Sequence, residues 1–140
     1  MPLDLSSLHK ALAALKELAE KAENDAVMGQ LDETLRKGIR AGVILYFEFT
    51  YELCWKLLKC WLEANQAKGM MLGITHKELF RLGAEHGLID DPERWWFFHE
   101  CRNRTSHTYN LEIAEEVYDA AIEFIPYAET LYAGLEQRNS

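Results

Sequence analysis

The stretch Val43-Ile44-Leu45-Tyr46-Phe47-Glu48-Phe49-Thr50-Tyr51-Glu52-Leu53-Cys54-Trp55-Lys56-Leu57-Leu58-Lys59-Cys60-Trp61-Leu62 decides the fold class. Projected at ~100° per residue, its charged positions Glu48, Glu52, Lys56 and Lys59 fall in a stripe only about 80° wide, and all else is apolar or aromatic apart from Thr50. Period-two alternation is absent, so the segment reads as a helix, and its apolar circumference is too wide for one neighbour to cover. The helix is expected from about Leu31 to Ala67. Tyr46, Phe47, Phe49, Tyr51, Trp55 and Trp61 are more aromatic surface than a small bundle encloses, which predicts a self-associating face. Glu48 and Glu52 read as helix-surface acids, since Glu52 stands one helical turn before Lys56.

Working outward toward the start, Asp4 is placed to cap a first helix. Its Leu5, Leu8, Leu12, Leu15, Ala19 and Ala22 share one face up to about Asn24, with Gly29 in the connection that follows. On the other side, Gly69 and Gly73 bracket a loop, and Thr75-His76-Lys77-Glu78 is a capping box opening a short third helix that ends near Gly87. Asp91-Pro92 is an N-cap followed by proline at the first helical position, so a fourth helix starts there and carries the chain toward Tyr109. From Leu111 a fifth helix puts Ile113, Val117, Ala121, Phe124, Ala128 and Leu131 on one side. Pro126 removes one backbone donor and is expected to bend it near Ile122. The predicted fold is all-α, an antiparallel up-and-down bundle of four long helices with an extra short one, forming one domain over residues 1–140.

With 140 residues, 49% of them hydrophobic, the chain is long and apolar enough to bury a core rather than stay disordered. No apolar run approaches the ~20 residues of a membrane span and no basic-then-apolar leader stands at the start, so a soluble cytoplasmic protein is expected. Cys54, Cys60 and Cys101 lie among apolar neighbours in helical segments and read as small buried thiols; their spacing fits neither a disulfide framework nor a zinc site. No metal, cofactor or membrane is implied. The net charge of −8 argues against a broad electrostatic grip on nucleic acid, and DNA is not expected as a partner. The charge is unevenly spread, however. Arg36, Lys37, Arg40, Lys56 and Lys59 oppose only Glu48 and Glu52 between positions 36 and 59. Beyond Asn110, Arg138 is the sole base against Glu112, Glu115, Glu116, Asp119, Glu123, Glu129 and Glu136. A local anion site therefore survives the acidic average.

Chemistry concentrates in Trp95-Trp96-Phe97-Phe98-His99-Glu100-Cys101-Arg102-Asn103-Arg104-Thr105-Ser106-His107-Thr108-Tyr109. On one helical projection Trp95, Phe98, Cys101, Thr105 and Thr108 form a core face. Arg102, Ser106, His99, Asn103, Trp96 and His107 fall, in that order, within an arc of roughly 140°. The arc reads either as hydrogen bonding between helices or as a site. His99, Asn103 and His107 recur at i, i+4 and i+8, and little in the surrounding stretch supplies carboxylates to satisfy them, Glu100 projecting beyond the arc's edge, which favours the site. A guanidinium grips a phosphate and steadies charge on a pentacovalent phosphorus. An imidazole near neutral pH takes a proton from a 2′-hydroxyl or gives one to a leaving 5′-oxygen. Together, without metal, they suit RNA cleavage by internal transfer, with Asn103 orienting phosphate or hydroxyl. Trp96, His99 and Ser106 are candidates for holding the substrate. Arg102 and His107 sit ~140° apart on a regular helix, so convergence calls for a helix irregularity or a second subunit across a two-fold. Tyr109 projects to the core side, where an aromatic is usually packing.

Arg102-Asn103-Arg104-Thr105-Ser106-His107-Thr108-Tyr109 resembles the R-x4-H-x-Y motif of HEPN proteins. More closely, the chain resembles the nucleotidyltransferase substrate-binding protein family of that superfamily. Phe47-Glu48-Phe49-Thr50-Tyr51-Glu52-Leu53, Trp55-Lys56 and Gly87-Leu88-Ile89 also fit, and the likeness covers roughly Asp4 to Tyr132. The resemblance implies a helical homodimer made alongside a separate minimal nucleotidyltransferase. It further implies a toxin–antitoxin pair in which Arg102 and His107 form a metal-independent ribonuclease site at the dimer cleft, silenced when the partner adenylylates Tyr109. The alternative it carries is a non-catalytic subunit that presents a nucleotide or other substrate, with Trp96 stacking a base and Arg102 holding phosphate. One departure stands out: an acid often precedes the arginine in that family, and Cys101 stands there in this chain.

Overall fold

A computed structural model describes residues 2–66, 69 and 71–139. Every element among them is helical: α1 (Ser6–Ala22), α2 (Asp25–Met28), α3 (Glu33–Asn65), α4 (His76–Glu85), α5 (Pro92–Asn103), a 3-10 turn (Thr105–His107) and α6 (Leu111–Arg138). The start signals act largely as the side chains suggest. Asp32 caps α3 by accepting from Leu35 N at 2.9 Å, Thr75 caps α4 through Glu78 N at 3.2 Å, and Asp91 caps α5 through Arg94 N at 3.1 Å. At α1 the cap position falls to Leu5, while Asp4 Oδ1 accepts from Ser6 N at 3.0 Å and Ser6 Oγ at 2.6 Å. Asn24 builds the extra one-turn α2, accepting from the backbones of Ala26 and Val27. The expected end of the long helix at Ala67 lies outside the described residues; α3 is capped at Gln66. Gly87, at φ +73, turns the chain after α4, a conformation that favours glycine. α6 continues through Pro126, so the missing donor does not end the helix.

The core forms where α1, α3, α5 and α6 meet, with α4 on α5 and α3. Phe124 is its hub: Phe47, Trp95 and Phe98 set their rings edge-on to it at centroid distances of 5.2, 5.4 and 5.2 Å. All four are fully buried, each worth roughly 1.5–3 kcal/mol of burial. α3 has two characters. Val43, Phe47, Thr50, Tyr51, Cys54, Leu58 and Leu62 enter the core, with Thr50 Oγ1 donating to Tyr46 O at 2.7 Å. Of the six aromatics expected to exceed the bundle's capacity, Phe47 and Tyr51 are inside and Tyr46, Trp55 and Trp61 half-buried, so only Phe49 remains outside. Leu35 and Leu45 stay out with it. Cys54 and Cys101 are buried, but Cys60 is exposed. It stands about three turns beyond Phe49 and shares that outer face. Among the described residues no helix is long and apolar enough to cross a membrane.

Candidate functional site

The polar segment is not one helix. α5 ends at Asn103, Arg104 leaves helical geometry, and Thr105–His107 form a single 3-10 turn closed by His107 N donating to Arg104 O at 2.9 Å. The local chemistry favours this break. Thr105 Oγ1 donates to Arg102 O at 2.9 Å and Thr108 Oγ1 to Thr105 O at 3.2 Å, so hydroxyls compete for carbonyls a continuing helix would use. Asn110 then caps α6. The irregularity that convergence of Arg102 and His107 calls for is therefore present. It also cancels the angular order expected beyond Asn103, and Tyr109, expected on the core side, is 86% exposed.

Arg102 points back to α3. Its Nε donates to Glu52 Oε1 at 2.6 Å, and its Nη2 lies 3.4 Å from Glu48 Oε1. The carboxylates that the surrounding stretch lacks thus come from α3, fifty or more residues upstream. The expected Glu52–Lys56 helix pair is present at 3.7 Å, but it shares a carboxylate that also accepts from Trp55 Nε1 at 3.2 Å. The acids beside Arg102 thus come from α3, while Cys101 precedes it in the chain. Arg102 retains 30% side-chain exposure, and Nη1 has no partner among the described residues.

His99 is drawn inward. Its Nδ1 and the Tyr51 hydroxyl share a hydrogen bond of 2.7 Å, and its ring stacks with His76, at 4.1 Å, and with Trp96, at 5.2 Å. Trp55 closes the far side of His76 edge-on at 4.6 Å, and Lys77 Nζ sits 4.7 Å over Trp96. Burial, and then His76 beside it, hold His99 below the usual imidazole range, and burial does the same to His76. Burial pushes the Tyr51 phenol far up, so its bond to His99 joins neutral groups.

The remaining residues separate. Trp96 and Asn103 line a hollow of about 560 Å³ with Phe97, Glu100 and Arg104. Ser106 and His107 are exposed on the 3-10 turn, with no side-chain hydrogen bond among the described residues. The His107 ring meets Tyr109 at 6.1 Å. Tyr109 lines a second cavity of about 670 Å³ with Arg36, Lys37 and Arg40. Sequence reasoning missed Glu52, Glu48, Tyr51 and His76 as neighbours of the arc, because they belong to other helices. The charge imbalance between positions 36 and 59 is the signal that points to the cations. Among the described residues no group of three or more His, Cys, Asp or Glu is placed to hold a metal ion.

The fold is that of a small all-helical protein with a polar, broken junction between α5 and α6. Within that class the chain belongs to the family described as nucleotidyltransferase substrate binding protein like, which it matches over residues 3–137. It is 30% identical over 138 residues to a Haemophilus influenzae protein named probable ribonuclease HepT, with 98% of this chain and 94% of that protein covered. A solved Haemophilus influenzae structure, described as revealing the fold of a substrate binding domain of a nucleotidyltransferase, superposes with a TM-score of 0.91 at 29% identity. That match covers 96% of this chain and 100% of the other. A Thermus thermophilus structure matches with a TM-score of 0.70 at 28% identity, covering 91% of this chain and 98% of its own.

Proposed function

We propose that this protein is the ribonuclease half of a cytoplasmic toxin–antitoxin pair, working as a homodimer beside a small nucleotidyltransferase, with Arg102 and His107 in the cleft between two copies. On this reading α1, α3, α5 and α6 are the four long helices of an antiparallel up-and-down bundle that forms one domain over residues 1–140. The outer face of α3 joins the copies. Leu45 and Phe49 are 46% and 52% exposed there, one turn from the carboxylates that hold Arg102.

The observation that carries the reading is the helix break after Asn103. It lifts His107 onto an exposed turn while Glu52 fixes Arg102 by its Nε and leaves Nη1 unpartnered among the described residues. The 2′-oxygen of RNA attacks the adjacent phosphorus and its proton passes to one His107. The bond from phosphorus to the 5′-oxygen breaks, and that oxygen takes a proton from the partner copy's imidazole. Arg102 neutralises charge on the pentacovalent phosphate, and Asn103 orients it. Trp96 stacks a base beside its hollow, with Ser106 and His99 as further substrate contacts. Tyr109, exposed two residues beyond His107, is the acceptor that the nucleotidyltransferase adenylylates to silence the site.

A second reading has an observation of its own. Two carboxylates already balance Arg102, which suits a non-catalytic subunit that binds a nucleotide or other substrate for the nucleotidyltransferase. End-group analysis separates the two. Single-stranded RNA incubated with the protein in excess chelator should yield fragments ending in 2′,3′-cyclic phosphate and 5′-hydroxyl. Intact RNA together with calorimetric binding of a nucleotide would establish the second reading instead.

A further inference from the structure

The cavity of about 670 Å³ between the first turns of α3 and the start of α6 lies apart from the Arg102 carboxylates, and its lining sets Arg36, Lys37 and Arg40 against Glu33 and Glu115. Two of its cations, Arg36 and Arg40, are held in place. Arg36 Nη1 donates to Leu31 O at 2.6 Å and Met28 O at 3.3 Å. The Arg40 guanidinium lies 4.9 Å over the Tyr118 ring, whose hydroxyl donates to Glu23 at 2.8 Å. Lys37 has only an open pair with Glu33 at 3.4 Å, with 70% of its side chain exposed, a contact of small energetic consequence. The opposite lip is Tyr109, an aromatic that packs on no core and is 86% exposed. Its ring leads directly to His107 at 6.1 Å.

We infer that this groove binds single-stranded RNA and feeds it to the Arg102/His107 centre, with Arg36, Lys37 and Arg40 on the phosphates and Tyr109 as a stacking platform for a base. The inference rests on the ribonuclease reading above. Cations beside a solvent-facing aromatic are what a strand with unstacked bases requires, whereas a duplex keeps its base faces hidden. The groove and the carboxylates that hold Arg102 lie along the same helix. At about 1.5 Å rise per residue, Arg40 lies about 12 Å along α3 from Glu48 and about 18 Å from Glu52. Arg102 sits on those two carboxylates, so the span from groove to guanidinium is a few nucleotides. The three cations of the lining outnumber its two acids, so the groove can attract phosphate despite a net charge of −8.

The test uses the full chain purified without the nucleotidyltransferase, in the His107→Ala background so that RNA stays intact, with a fluorescein-labelled mixed-sequence RNA of about twelve nucleotides read by anisotropy. Lys37→Glu with Arg40→Gln should weaken binding about tenfold or more and lower the salt slope by about one per lost phosphate contact. Tyr109→Ala should weaken it about tenfold, and Tyr109→Phe should restore it, because stacking needs the ring and not the hydroxyl. Lys37→Glu alone, at an exposed position, keeps the test independent of any folding defect in the double variant. Binding within twofold of the parent in all these variants, with His107-intact protein still cutting RNA, would overturn the groove and leave the ribonuclease reading standing. No binding or cutting of RNA by any form would overturn both. Loss of nucleotidyltransferase binding with RNA binding intact would make the groove a protein-docking surface and overturn the inference.

Discussion

Glu52 and Arg102, fifty residues apart in the chain, are joined by a hydrogen bond of 2.6 Å from Nε to Oε1. The bond fixes the arginine by the edge of its guanidinium and leaves part of the fork toward solvent. Glu52→Gln keeps the shape and removes the charge. It should lower the RNA cleavage rate about tenfold, through a less well-placed guanidinium, with the melting temperature reduced by only a few degrees. Lys56→Ala, at the other oxygen of the same carboxylate, should leave the rate within about twofold. An unchanged rate in Glu52→Gln would show that the pair does not position Arg102 for chemistry.

The same pair marks where the sequence stops being legible. The capping box at Thr75, the Asp91-Pro92 start and the apolar stripes of α1 and α6 are local signals, and the helical class follows from them. Glu52 beside Arg102, Tyr51 beside His99 and His76 against His99 are contacts between helices, and no periodicity in one segment reports which residue of another it meets. Tyr109 shows a second limit. Its expected inward position assumed one continuous helix, and hydroxyl bonding at Thr105 and Thr108 ended that helix early.

Stability should depend on pH through the stacked imidazoles. Burial holds both His76 and His99 below their ordinary value of 6.5, so the folded protein binds fewer protons than the unfolded chain just below that pH. Stability is then fully present above about pH 7 and is lost as pH falls through the depressed values. His99→Gln still offers the Tyr51 hydroxyl an acceptor but does not titrate. It should lower the melting temperature at pH 7.5 and flatten its decline between about pH 7 and pH 5. A decline as steep as the wild type's would place the titrating group elsewhere.

Phe49 is the exposed centre of the outer face of α3, with Leu45 one turn before it. A charge there faces the partner copy if two chains meet on this surface. Light scattering should give a dimer for the wild type and a monomer for Phe49→Glu, with cleavage falling together with the dimer because the cleft needs both copies. A monomeric wild type at working concentrations would rule out the shared cleft.

Tyr109 is open to a modifying enzyme without any unfolding, being 86% exposed beyond the 3-10 turn. Intact-mass spectrometry after incubation with the partner nucleotidyltransferase and ATP should show addition of one or more AMP units, absent in Tyr109→Phe. Equal labelling of Tyr109→Phe would move the acceptor to another residue.

The central claim is that an arginine steadied from α3 and a histidine on the turn after α5 together cut RNA. The most direct measurement is the single-turnover cleavage rate of single-stranded RNA in excess chelator, compared between the wild type and His107→Ala. His107 is exposed and carries no side-chain hydrogen bond among the described residues, so the substitution should leave the fold unchanged. The expected result is a rate lowered about 10²–10⁴-fold at an unaltered melting temperature. Equal rates for the two proteins would contradict it.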